Sequence, residues 1–193
     1  KGHTGEDVFL AIYDKSKDCL PAQFAYPLQN RWLLGEKENV TIVENNIRFH
    51  IDVVKGQKTG FFLDQRDNRA LLGTYSKGKT VLNTFCYSGG FSLAALQAGA
   101  TQVDSVDVSS NAIQLLDKNL LLNEYSSDNH TSYVEDVMKF LRLEEVPQYD
   151  IVVLDPPAFA KSMSKRHNAV QGYKRLNVLG LEKVKPGGLL FTF

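Results

Sequence analysis

The stretch 83-NTFCYSGGFSLAALQAGA-100 decides the architecture. Asn83 and Thr84 end an apolar run, Gly89 and Gly90 follow, and a small, apolar segment with helical character begins. A strand that passes through glycines into a helix opens a βα unit. Two reasons for the glycines stand side by side. Without Cβ atoms the backbone can approach a ligand closely, with helix amides facing a carboxylate or phosphate. Alternatively, a tight turn simply needs positive φ.

Downstream of that turn, strand and helix patterns alternate. The strands are expected at 80–85, 102–108, 131–135, 150–155 and 188–193. The helices are expected at 91–99, 109–123, 136–145 and roughly 169–184. Ser109 or Ser110 is positioned to cap the second helix, whose Ile113, Leu116 and Leu120 make one stripe. Such alternation predicts an α/β fold, a Rossmann-like doubly wound parallel sheet whose ligand lies outside the carboxyl ends of the strands. Upstream, 8-VFLAIYD-14, 40-VTIVEN-45 and 47-IRFHIDV-53 read as short strands, with Asn45-Asn46 as a hairpin turn. They predict a small antiparallel β module, followed by a helix within 64–78.

Bulk properties exclude several classes. The 193 residues carry 22 basic and 22 acidic side chains, so no global positive field advertises nucleic acid. A polyanion would have to be gripped by a local patch. Cys19 and Cys86 lack metal-ligand spacing and are too few for a disulfide framework, which predicts reduced thiols in a cytoplasmic protein and no metal. No apolar run reaches membrane-spanning length and no signal peptide opens the chain. Both ends read as cut: 1-KGHTG-5 lacks an initiator Met, and 187-GGLLFTF-193 stops inside an apolar run.

Candidate site residues gather at the predicted strand ends. Seventeen residues after Gly90, a strand ends on Asp107. A carboxylate there can accept from both hydroxyls of a ribose, or it caps the next helix. Asp136 follows the third strand, placed to accept from an adenine amino group or to act as a cap. Phe85, Tyr87, Ser88, Val108, Ser109 and Val137 complete this shell beside Gly89 and Gly90. The turn lacks G-x-G-x-x-G, so an adenosine ligand without pyrophosphate, such as S-adenosylmethionine (SAM), fits better than NAD. In 150-DIVVLDPPAFAKS-162, Asp155-Pro156-Pro157 stiffens the exit of a buried strand where a second substrate would enter, or is only a rigid stop. Before the sheet, 56-GQKTGFFLDQRDNR-69 is dense in polar residues that are costly to order unless they bind something; otherwise it is a charged linker. Arg66 and Arg69 equally fit a solvated helix face.

Together these residues resemble a class I SAM-dependent methyltransferase: 85-FCYSGGF-91 as first motif, Asp107 as ribose acid, Asp136 as adenine-side acid and Asp155-Pro156-Pro157 as fourth motif. With 172-GYKRLN-177, the runs 56–69 and 155–162 resemble the bacterial 23S ribosomal RNA large-subunit methyltransferase I family, writers of 5-methylcytosine. The resemblance implies a β-rich linker domain over 1–55 and a methyltransferase domain over 56–193. It adds Lys58, Thr59, Gly60, Phe61 and Arg66 to the SAM shell, with Asp155 shared between cofactor and target base. It also implies an RNA-binding barrel before Lys1 and a nucleophilic cysteine just after Phe193. Asp155 would contact the cytosine amino group. Phe159 would stack on a flipped base or pack the loop. Lys161, Lys165, Arg166 and His167, extended by Lys174 and Arg175, would meet RNA phosphates or form a solvated surface. Cys86 reads as buried packing, and Ala158 stands where some RNA cytosine methyltransferases carry a second cysteine.

Three alternatives remain: an rRNA guanine-N7 or amino-group methyltransferase, an NAD-dependent oxidoreductase, and a non-catalytic nucleotide- or RNA-binding module. The oligomeric state is left open, a homodimer included.

Overall fold

The computed structural model describes residues 10–25, 28–157 and 166–193. They fall into two units. The first comprises the described residues up to Ile42 together with Phe49–Asp64, and the second comprises Val43–Arg48 and Gln65–Phe193.

In the first unit, β1 (Ile12–Asp14) pairs antiparallel with β2 (Arg31–Leu34), and Tyr13 meets Trp32 with ring centroids 4.8 Å apart. The short helices α1 (Ser16–Cys19) and α2 (Ala22–Ala25) connect these strands. A further two-stranded sheet pairs β3 (Asn39–Glu44) with β4 (Ile47–Asp52); its turn, Asn45 and Asn46, belongs to the second unit, and both residues have positive φ. That is the geometry a two-residue hairpin demands. Strand β2 and both short helices escape the sequence reading. RWLL pairs with a strand seventeen or more residues earlier, and four-residue helices are too short to show a period.

In the second unit, a 3₁₀ turn (Leu63–Gln65) leads into α3 (Arg66–Ser76). There follow β5 (Thr80–Thr84), α4 (Gly90–Gln97), β6 (Gln102–Asp107), α5 (Ser110–Leu122), β7 (His130–Val134), α6 (Val137–Phe140), β8 (Tyr149–Leu154), α7 (Arg166–Glu182) and β9 (Val184–Thr192). The five strands form one parallel sheet in the order β7-β6-β5-β8-β9. The doubly wound α/β expectation therefore holds. The order reverses between β5 and β8, the switch point at which such sheets bind ligands. Central strands are buried on both faces: Val81, Leu82, Val103, Val106, Val152, Val153 and Leu154 have no accessible surface. That explains their continuous apolar runs.

Two boundaries differ from the sequence reading. The helix expected over 136–145 closes after Phe140, where Arg142 and Leu143 amides donate to the Lys139 and Phe140 carbonyls in tight turns. Arg142 through Glu145 are exposed, so a longer helix would bury nothing there. The last strand begins at Val184 and not at Gly188, and its register shifts opposite Tyr149 and Ile151. Pro186 sits in it because β9 is an edge of the described sheet.

Candidate functional site

The sheet register aligns the strand ends. Thr84 lies opposite Val106 on one side and Leu154 on the other, and Asp107 lies opposite Val134. The Glu135 amide donates to the Asp107 carbonyl at 3.1 Å. Phe85, Asp107, Asp136 and Asp155 therefore emerge from neighbouring strands at one end of the sheet. From β7 to β8 this row spans about 14 Å at ordinary strand spacing.

The loop from Phe85 to Gly90 is held by specific bonds. Its Cys86 amide donates to the Val106 carbonyl at 3.1 Å, and the Gly89 amide to the Cys86 carbonyl at 2.8 Å. The buried Asn119 donates from Nδ2 to the Ser88 carbonyl at 2.9 Å. Phe85 (φ 54°) and Tyr87 (φ 45°) sit in the left-handed region, each costing about 1–2 kcal/mol. Strain of this kind collects at ligand sites. Gly89 has φ 82°, and a Cβ there would come within 2.1 Å of Leu116 Cδ1. A Cβ on Gly90 would come within 2.9 Å of Arg69 Cδ. The glycines are thus required by the turn and by packing of α4 against its neighbours.

Asp107 joins loop and sheet. Its Oδ2 accepts from the Tyr87 amide at 3.0 Å and its Oδ1 from the Ser109 amide at 2.9 Å. A carboxylate has about four acceptor positions, so these bonds fix its plane and use two. Ser109 caps α5, accepting from the Ala112 amide at 3.3 Å. Val108 is 70% exposed beside it. Asp136 is the N-cap of α6, with Oδ1 accepting from the Lys139 amide at 2.9 Å. Val137 is buried with Phe140 and Leu141, so its side chain serves the core. Cys86 is buried as well, and burial, reinforced by the negative Asp107, pushes its thiol well above the ordinary range. It is an inert thiol.

Asp155 and Pro156 are half-buried and Pro157 is exposed directly after β8. Phe159, Lys161 and Lys165 lie outside the described residues. Arg166 is the first residue of α7, and Lys174 and Arg175 are exposed further along it. Arg66 is exposed at the start of α3. Arg69, three residues on, is not on a solvated face. It is 4% exposed and grips Glu44 through two bonds, Nε–Oε1 at 2.7 Å and Nη2–Oε2 at 2.8 Å. The desolvated carboxylate in the hairpin outcompetes water for the guanidinium. In the first unit, Lys58 and Gly60 take positive φ and the Thr59 hydroxyl donates to the Phe61 carbonyl at 3.2 Å. The Phe61 ring is buried against Phe49, 4.8 Å between centroids.

Sequence reasoning passed over Asn119, which props the loop, and a buried polar chain beneath α4. In that chain Asn83 Nδ2 donates to Ser92 Oγ at 2.7 Å, Ser92 meets Ser105 at 2.7 Å, and Ser105 meets His130 Nε2 at 2.8 Å. The signal that could have found them was a polar residue inside an otherwise apolar element, which must find a partner when buried.

Comparison with known proteins follows the same lines. Residues 18–193 match the family model described as S-adenosylmethionine-dependent methyltransferase. A ribosomal RNA large subunit methyltransferase I from Shewanella denitrificans is 45% identical over 95% of this chain and 47% of its own. The chain spans about half the length of the curated relatives it matches. A solved Streptococcus mutans protein assigned as a SAM-dependent methyltransferase superposes with TM-score 0.73 at 35% identity, covering 84% of this chain and 43% of the other. Another protein assigned as a methyltransferase, SMU.776, solved with S-adenosylhomocysteine (SAH), gives TM-score 0.70 at 32% identity over 84% and 44%. The match covers nearly the whole chain, and this chain belongs to the S-adenosylmethionine-dependent methyltransferase family.

Proposed function

We propose that this chain is the cofactor-binding part of a cytoplasmic SAM-dependent RNA methyltransferase acting on 23S ribosomal RNA, with cytosine C5 as the acceptor. The observation that carries the cofactor reading is the clamp between the strained loop and Asp107. A carboxylate oriented by two backbone amides, with acceptor positions to spare, fits the diol of a ribose. Gly89, Gly90, Ser88, Tyr87 and Phe85 supply loop backbone beside it, Val108 an apolar face for adenine, and Asp136 an acceptor for the adenine amino group. The family resemblance adds Lys58, Thr59, Gly60, Phe61 and Arg66 to the residues assigned to the cofactor. On this reading residues 1–55 are a linker domain and 56–193 the catalytic portion. Membership of the family sets NAD-dependent oxidation aside.

When bound, SAM supplies an electrophilic methyl group. Asp155 accepts from the amino group of the target base, and Pro156 and Pro157 hold the loop backbone against it. C5 chemistry also needs a thiolate to add at C6, and the buried Cys86 is not that group. Relatives named for ribosomal RNA support the RNA substrate. The test is transfer of tritium-labelled methyl from SAM to 23S rRNA by a protein of the relatives' full length containing this chain, with the labelled nucleoside identified by mass spectrometry. Label in 5-methylcytidine is expected. Label in a guanosine would move the reading to guanine-N7 or amino-group methylation, and unlabelled RNA would overturn it.

A further inference from the structure

In the second unit, a hollow of about 290 Å³ opens between the turn after α6 and the exposed face of α7. That is the small end of the range for ligand clefts. Arg142 forms one wall; Gln171, Lys174, Arg175, Val178 and Leu179 form the other. The second set repeats at the three- and four-residue spacing of one helix face. Among the described residues no acidic side chain lines the hollow, although Glu144 and Glu145 follow Arg142 closely in sequence. Arg142, Lys174 and Arg175 are exposed, and none forms an ion pair among the described residues. In a chain with 22 basic and 22 acidic side chains, this is a local excess of positive charge.

We infer that this hollow holds the sugar–phosphate backbone of the RNA substrate away from the target nucleotide. The inference rests on the RNA reading above and adds Arg142 and a defined surface to it. Arg142, Lys174 and Arg175, from both walls of the hollow, can meet phosphodiester oxygens, and Arg presents a fork that matches them. Val178, 47% exposed, also lines the hollow and adds apolar surface on which a ribose or base edge can rest. Such a site grips RNA without reading its sequence, which suits a contact that positions the substrate.

The test compares wild type with the triple variant Arg142→Ala, Lys174→Ala, Arg175→Ala. A control removes equal charge elsewhere: Lys77→Ala, Lys79→Ala, Lys118→Ala. Both variants carry a formal charge of −3, from 19 basic and 22 acidic side chains. Binding of a fluorescein-labelled single-stranded RNA decamer is measured across a salt series, and SAH binding by calorimetry. We expect the hollow variant to lose tenfold or more in RNA affinity near 0.1 M salt. Its log-affinity against log-salt slope should flatten by about two, at roughly 0.7 for each phosphate no longer neutralised. The control should stay within about twofold, and SAH binding should not change. Equal RNA binding by both variants would overturn the assignment, whatever SAH does. So would displacement of the RNA by polyglutamate at equal charge concentration, which would mark an acidic-peptide surface. Wild type that fails to bind SAH would instead overturn the cofactor reading, leaving the RNA result to decide the hollow.

Discussion

The loop over Phe85–Gly90 and the hollow beside α7 are built on opposite principles. The loop is strained, half-buried and tied through Tyr87, Ser88 and Cys86 by bonds to two elements, β6 and α5. The hollow is a set of exposed cations with no partners among the described residues. A small ligand of fixed shape is held best by groups already in place, because ordering them at the moment of binding costs affinity. A flexible polyanion needs only charge at the surface, where counterion release does the work. Substitutions in the loop should therefore cost stability, and substitutions in the hollow should not.

Gly89 is where that contrast is sharpest. Gly89→Ala combines a left-handed φ with a Cβ directed into Leu116, and should cost roughly 3 kcal/mol. Chemical denaturation would measure it, and in a double-mutant cycle with Leu116→Ala, itself destabilising, the combined loss should be less than the sum of the two. An unchanged midpoint would mean that the loop is not packed as described. Next in size is a pH effect from the polar chain under α4. Burial holds the His130 pKa down at about 4, below the unfolded value near 6.5. The unfolded chain thus binds the extra proton first. Stability should be full above pH 6.5 and fall by roughly 2–3 kcal/mol as the pH drops toward 4. His130→Asn should flatten that slope; a wild-type denaturation curve indifferent to pH over this window would contradict the buried neutral imidazole.

Asn119→Ala removes the prop under Ser88 and should cost about 1–2 kcal/mol, with weaker SAH binding. Lost stability with intact SAH affinity would reduce Asn119 to a packing role. At the small end, Lys174→Ala and Arg175→Ala should shift stability by no more than about 0.5 kcal/mol. A larger loss would show that these cations support the fold.

Much of the sheet was legible because its strands are buried on both faces and its helices are amphipathic or uniformly apolar. The runs TVLNT and DIVVL have no other comfortable place. The places of Asp107 and Asp136 at strand-to-helix junctions were legible from the alternating pattern, and of the two uses the sequence left open for Asp136 the structure displays the cap. The sequence left Arg69 open between a site role and a solvated face because its partner, Glu44, lies twenty-five residues away, beyond any local pattern. The purpose of the glycines was ambiguous for a similar reason. Leu116 and Arg69, which forbid a Cβ at Gly89 and Gly90, come from other elements. The hollow was invisible because Arg142 stood in a predicted helix that ends at Phe140.

The central claim is that the loop and Asp107 together hold the ribose of SAM. Calorimetric titration of SAH into wild type and Asp107→Ala, with melting curves as a control on folding, tests it most directly. Wild type should bind, and a folded Asp107→Ala should bind about ten- to a hundredfold more weakly, a loss of roughly 1.5–3 kcal/mol. Equal affinity in the two proteins would contradict the claim.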